Sequence, residues 1–183
     1  DLNREDNLIN LHHLLINREY RTSEYKIFTL YEKKERIIYQ LPYKDRVVHW
    51  AIVNVIGNIL IKSLTVDTYS CIKGRGIHSC LNNLNKALRN KVETKYCLKL
   101  DIKKFYPSIN KEILKQLLRK KFKDEDLLNL LDEIIDSNSQ GIPIGNLLSQ
   151  LFCNFYLNYF LHYLKQDLKI KNLFVYCDDI VIL

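Results

Sequence analysis

The sequence predicts an α/β (α+β) chain whose C-terminal half is built on a split βαβ sheet. Three observations carry this. A strand at Tyr96–Ile102 is followed by two helices, a loop, a long helix and a final strand-turn-strand, the order that a split βαβ unit requires. Acids sit where the strands stop: Asp101 ends the first, and Asp178-Asp179 interrupt the last. The composition, 47% hydrophobic and 27% charged over 183 residues, is that of a globular chain with a substantial core.

Each element has its own local cause. Residues 5 to 18 place Leu8, Leu11, Leu14 and Leu15 at helical spacing, and the polar, basic and aromatic stretch from Arg18 to Lys34 reads as irregular or hairpin. Arg36–Leu41 is β-like and Pro42 closes it. Asp45 is then expected to cap a buried helix from about Val47 to Ile61. Gly74-Arg75-Gly76 makes a turn before a helix over Ile77–Leu88. Asn110 is expected to cap a helix carrying Ile113, Leu114, Leu117 and Leu118, and a second helix runs from Asp124 to Asp136. The intervening basic run, Arg119 to Lys123, reads as a solvated helix end. After the loop Gly141–Gly145, residues 146 to 165 form one long helix on which Gln150, Asn154, Asn158 and His162, four apart, make a single polar ridge. The last strand turns at Asp178-Asp179. These elements divide at about residue 95, with a mostly helical region (1–95) before the sheet (96–183) in one domain.

Charge and cysteine usage narrow the function. A net charge of +7 from 28 Lys and Arg favours a polyanionic partner. The five cysteines, Cys71, Cys80, Cys97, Cys153 and Cys177, show neither CxxC nor Cys/His ligand spacing, so they read as free thiols in a reducing compartment. No stretch of roughly 18 apolar residues lacks charge, and the N-terminus is polar, so a cytoplasmic location without a membrane partner is expected. A chain that starts without Met and stops on a hydrophobic strand reads as a piece of something longer.

Carboxylates in an apolar strand must be paired, hydrogen-bonded or metal-bound. Acids gathered from strand ends suit Mg2+, which takes oxygen ligands and keeps water. In two-metal phosphoryl transfer the ions lie roughly 4 Å apart, and two or three acids suffice to fix them. Basic groups near the phosphates complete such a site; Lys33, Lys34, Arg36, Lys44 and Arg46 are candidates.

From about residue 30 to the end, three segments in order resemble one family, the reverse transcriptases. Tyr176-Cys177-Asp178-Asp179 is similar to the Tyr-x-Asp-Asp box of the palm. Leu100–Ile109 is similar to the first catalytic box, and Gly141–Gln150 to the loop and helix that contact nucleotide and template. The resemblance implies a reverse-transcriptase-like palm preceded by fingers, with two Mg2+ ions (Mn2+ as a substitute) on Asp101, Asp178 and Asp179 and a further ligand in the Ile102 carbonyl. Tyr106 matches the aromatic under the sugar that excludes a 2′-hydroxyl, although an aromatic beside a strand end is also ordinary core. Arg36 and Lys34 match basic contacts to the incoming dNTP. Ile144, Gly145, Ser149 and Gln150 line the nucleotide side of the loop. Lys44, Arg46 and Arg75 are implied contacts to nucleic acid; equally, Asp45 as a cap with Arg46 in a structural ion pair, and Gly74-Arg75-Gly76 as a plain turn, explain those residues without function. Expected partners are an RNA template, a DNA primer, dNTP and an accessory protein of a retroelement.

The loop carries the finer expectation. Most reverse transcriptases have Gln-Gly-x-x-x-Ser-Pro where this chain reads Ile144-Gly145-Asn146-Leu147-Leu148-Ser149-Gln150, a replacement that resembles diversity-generating retroelement enzymes. An apolar Ile144 forgoes hydrogen bonds that Gln makes, which implies lower nucleotide discrimination and the mutagenic copying at template adenines known in that group. Retron, group II intron and phage-defence enzymes stay open as subgroups. The family's thumb would lie beyond Leu183, so the chain is expected to be a fragment lacking it. A nucleic-acid-binding module with a vestigial site, or a nucleotide cyclase on a related sheet, are the readings from other classes.

Overall fold

The computed structural model describes residues 3–31 and 35–183. Helix α1 (Arg4–Ile16) buries Leu11 and rests Leu14 and Leu15 on the core. Of the segment read as irregular or hairpin, residues 19–25 are irregular and Lys26–Tyr31 form a strand. β1 (Lys26–Tyr31) pairs antiparallel with β2 (Glu35–Gln40), from Lys26 opposite Gln40 to Tyr31 opposite Glu35. Most side chains of this pair are exposed, Arg36 among them, so it projects from the core.

Helix α2 (Tyr43–Ser63) begins four residues before the expected Val47. Pro42 sits at its N-cap, where a missing N–H costs nothing. Asp45 is therefore not a cap but lies inside the first turn, fully buried, and its Oδ1 accepts from the Tyr20 hydroxyl (2.7 Å) and the Ser23 amide (3.2 Å). This carboxylate ties the chain after α1 to the start of α2. Helix α3 (Ile77–Ala87) follows a turn with Gly74 at φ 80°.

Strand β3 is Leu98–Asp101, shorter than the expected Tyr96–Ile102. The short helix α4 (Phe105–Ser108) leads into α5 (Lys111–Lys121), α6 (Glu125–Asp136) and α7 (Leu147–Gln166). The cap expected at Asn110 forms, its side chain accepting from Ile113 N, and Asp124, at the expected start of the next helix, also caps it by accepting from Leu127 N. The basic run is not merely solvated, because Arg119 grips Asp132 of α6 with both Nη atoms. Strands β4 (Leu173–Tyr176) and β5 (Asp179–Ile182) end the chain.

The sheet order is β3-β5-β4, with β5 antiparallel to both neighbours. β3 and β4 therefore run parallel with β5 inserted between them, the split βαβ arrangement. The central strand is β5; β3, expected in the middle, is at the edge. Alternation divides the faces. Val175 and Ile180 pair toward the main core of α2, α5, α6 and α7, where Leu60, Leu114, Leu131 and Leu161 are fully buried. Phe174, Tyr176 and Val181 face a smaller cluster with Tyr69 and Cys80 of the α3 side.

The polar ridge of α7 holds the 63–70 loop. Asn154 accepts from the Ser70 hydroxyl (3.1 Å) and donates to its carbonyl (2.9 Å). Asn158 accepts from Thr65 N (3.0 Å) and donates to Ser63 O (2.9 Å), the carbonyl that His162 Nε2 also meets at 3.0 Å. A buried loop leaves backbone groups to satisfy, and the ridge satisfies them. The loop then runs beside β4 in parallel: Thr68 bridges Val175, Val175 N donates to Asp67 O and Tyr69 N to Val175 O, both at 2.9 Å.

Candidate active site

The β3–β5 register sets Asp101 directly opposite Asp179, at the end of the ladder. Between β4 and β5 the hairpin closes on Tyr176 opposite Asp179, so the two turn residues are Cys177 and Asp178 rather than the expected Asp178 and Asp179. Cys177 has φ 56°, the sign that primed two-residue hairpins require at this position, without the glycine that usually supplies it. A non-glycine residue held there stores strain beside the acid.

Asp178 is half-buried at the turn. Its carboxyl is pushed above the ordinary carboxylate range, chiefly by burial. Its own backbone amide counters this, the charges of Asp101 and Asp179 add to the rise, and Arg36 opposes it. Three acids and one cation from β3, the hairpin and β2 thus act on the same point. Asp179, exposed like Asp101, differs from the other two in meeting Lys99 Nζ at 3.3 Å across the strands, an interaction of little energy at the surface.

A set of neighbouring carboxylate oxygens fits a hard divalent ion such as Mg2+. Among the described residues no group of three or more His, Cys, Asp or Glu side chains closes to metal-binding distance. Asp101 and Asp178 are the carboxylates that could hold such an ion, with water completing its shell.

After β3 the chain passes half-buried Ile102, takes a left-handed residue at Lys104 (φ 51°) and enters α4. This brings Tyr106 beside Asp178, Cys153 and Cys177, where burial above all raises its phenol pKa. Its ring meets Phe105 edge-on at 5.9 Å. The loop 141–145 is clamped at both glycines. A Cβ on Gly141 (φ 54°) would lie 2.3 Å from Tyr106 O and 2.5 Å from Pro107 O, and one on Gly145 (φ 118°) 3.0 Å from Tyr39 O. Hydrogen bonds accompany both approaches: Ile142 N donates to Tyr106 O and Tyr39 N to Ile144 O, each at 2.9 Å. The loop thus locks β2, which carries Arg36, to the segment that carries Tyr106.

The remaining candidates separate. Ser149 is buried and Gln150 half-buried at the start of α7. Lys44 and Arg46 are exposed on the first turn of α2, and Arg46 lies over the Tyr43 ring at 5.5 Å, so the ion pair considered for it is replaced by a cation–π contact. Arg75 turns inward, its Nη1 donating to Thr65 O (3.1 Å) and Thr68 O (3.0 Å), which makes it a strut for the loop. Lys33 and Lys34 lie outside the described residues.

Two features were missed. Cys71, Ser70 and Cys177 meet at the acidic turn: the Cys71 and Cys177 thiols are hydrogen-bonded, which brings Cys177 down to about 7, and Ser70 adds a second bond. No spacing in the sequence relates residues 71 and 177. In addition, His49 Nε2 and Asn146 Nδ2, both buried and without hydrogen-bond partners, line one small cavity of about 10 Å³ between α2 and the loop, near the lower limit for one water.

A family model described as reverse transcriptase (RNA-dependent DNA polymerase) matches residues 26–183. No curated protein matches. Among solved structures, telomerase from Candida albicans in complex with a fragment of telomeric RNA superposes with a TM-score of 0.58 at 10% identity, over 91% of this chain and 39% of that one. Chains of a partial Cas6-RT-Cas1–Cas2 complex and of the Cas6-RT-Cas1–Cas2 complex each give 0.50 at 22% identity over 100% of this chain, and 33% and 21% of theirs. At these identities the likeness is one of fold, and the chain spans well under half the length of each.

Proposed function

The chain belongs to the reverse transcriptase (RNA-dependent DNA polymerase) family, and from that premise we propose that it is the fingers and palm of an RNA-directed DNA polymerase that adds dNMP from dNTP to a primer 3′-hydroxyl. The observation that supports this best is the strand register that sets Asp101 opposite Asp179, next to Asp178 at the hairpin turn, with the charge of Arg36 on β2 opposing theirs at Asp178. Asp101 and Asp178, with Asp179 and the Ile102 carbonyl as lesser donors, would hold two Mg2+ or Mn2+ ions, which when bound make the attacking hydroxyl more acidic and neutralise the leaving oxygen. Arg36 meets the phosphates of the incoming nucleotide. Tyr106 lies under the sugar and rejects a 2′-hydroxyl by contact. Pyrophosphate leaves as the α-phosphate is taken by the primer oxygen. Lys44 and Arg46, exposed on α2, meet the template backbone, where phosphate contacts supply sequence-independent affinity.

The finer reading is an error-prone enzyme of the diversity-generating retroelement type, working with an accessory protein. It is supported by Ile144, half-buried at the clamped loop where a Gln would offer hydrogen bonds to the nucleotide.

Primer extension on an RNA template with Mg2+, using a protein that carries this region, tests the activity. Asp101→Ala and Asp178→Ala should each reduce extension by about 10³-fold or more, given several kcal/mol of transition-state stabilisation, while salt-dependent RNA binding persists. Full activity in either variant would overturn the assignment.

A further inference from the structure

We propose that Cys71 and Cys177 are an oxidation site, a vicinal thiol pair that closes to a disulfide and thereby disables the acidic turn; its effect on extension rests on the polymerase reading, whereas the disulfide itself does not. The pair is built by the fold. The loop running parallel to β4 is registered at Thr68 against Val175 and fixed by the 2.9 Å bonds at Asp67 and Tyr69. Two and three residues further along, Ser70 and Cys71 therefore come level with Cys177, and the two thiols hydrogen-bond. The loop cannot drift away, because Asn154 holds Ser70 from the other side at 3.1 and 2.9 Å and Arg75 ties Thr65 and Thr68.

Access and conformation agree with this. Cys71 is exposed and Cys177 half-buried, whereas Cys153, the other nearby thiol, is buried. Both Cys71 (φ 55°) and Cys177 (φ 56°) occupy left-handed backbone positions. These are turn conformations, in which the chain bends sharply enough to aim two side chains from adjacent segments at each other. No spacing or motif explains two cysteines at such positions, and neither is needed for the proposed polymer chemistry.

The reaction balances with a peroxide as oxidant. The Cys177 sulfur attacks one oxygen of hydrogen peroxide, the O–O bond breaks, and the thiol proton leaves with the departing oxygen as water. The Cys71 sulfur then displaces the hydroxyl from the Cys177 sulfenic acid, its own proton completing a second water, and an S–S bond forms. Two thiols are oxidised by two electrons and one peroxide is reduced. The S–S bond is about 2.05 Å long, shorter than the separation of hydrogen-bonded thiols, so closure draws the Cys177-Asp178 turn toward the loop. Displacement of a reacting group by about 1 Å can cost ~10²-fold in rate.

The test oxidises the protein with hydrogen peroxide or diamide, alkylates it, and reads disulfides by peptide mass spectrometry alongside primer extension. The expected result is a Cys71–Cys177 cross-linked peptide, a loss of extension of roughly a hundredfold, and recovery with dithiothreitol. Cys71→Ser and Cys71→Ala should extend primers normally when reduced and keep that activity under oxidant. Five free thiols after oxidation, a cross-link to Cys153 instead, or equal inactivation of the Cys71 variants would each overturn the proposal. Absence of extension by the reduced wild type would count against the polymerase reading alone, since the cross-link is scored independently.

Discussion

At Ile144 main chain and side chain have separate tasks. The carbonyl accepts from Tyr39 N and fixes the loop to β2, so the backbone position does not depend on which side chain is present. Replacing Ile144 by Gln therefore changes the chemistry offered to the nucleotide while leaving the clamp in place. If the retroelement reading is right, Ile144→Gln should lower misincorporation opposite template adenine by roughly threefold to tenfold, the worth of one neutral hydrogen bond; sequencing of the extension products measures it, and an unchanged error spectrum removes the argument for that subgroup. Arg75 shows the limit of reading single residues. As a sequence letter it is a basic group in a glycine turn, and only the positions of Thr65 O and Thr68 O make it a strut.

Among the elements, α7 connects core to site. One side packs Phe152, Phe155 and Leu161 into the core, while Asn154, Asn158 and His162 satisfy the 63–70 loop. Asn154 is buried with both its amide atoms used on Ser70, so Asn154→Ala leaves the buried Ser70 carbonyl without its donor and the hydroxyl without its acceptor. The expected loss is about 1–3 kcal/mol, read from the shift of the urea midpoint, and a shift near zero would deny the ridge its holding role. The ridge was legible because a four-residue repeat of polar groups on an apolar helix is a local pattern. Its partner was not, since Thr65 and Ser70 lie more than eighty residues away in the chain. The early start of α2 has the same origin: Asp45 looks like a cap until Tyr20 is placed against it.

For the whole molecule, stability should depend on pH through His49. It is buried, and burial lowers its pKa from 6.5 to about 4 against the opposing pull of Asp45. The unfolded chain then binds a proton that the folded chain refuses. Stability is complete above pH 6.5 and falls as pH drops toward 4, by up to about 3 kcal/mol at 1.36 kcal/mol per pKa unit. Urea unfolding across that range should show the decline in the wild type and a flatter profile in His49→Gln; parallel profiles would assign the acid sensitivity elsewhere. Acid lability of this kind acts where α2 meets the 141–145 loop, because His49 and Asn146 face the same small cavity.

The split βαβ order, the Asn110 cap, the polar ridge and the three acids were all readable from the chain, because each depends on side-chain type and on periodicity within one or two turns. Tertiary structure alone decided that β5 rather than β3 is central, that Asp101 stands opposite Asp179, that Arg36 acts on Asp178, and that Cys71 meets Cys177. These follow from strand register and from the two glycine clamps at Gly141 and Gly145. Register joins residues distant in the chain through backbone hydrogen bonds, which any residue but proline can donate, so side-chain identity does not record it.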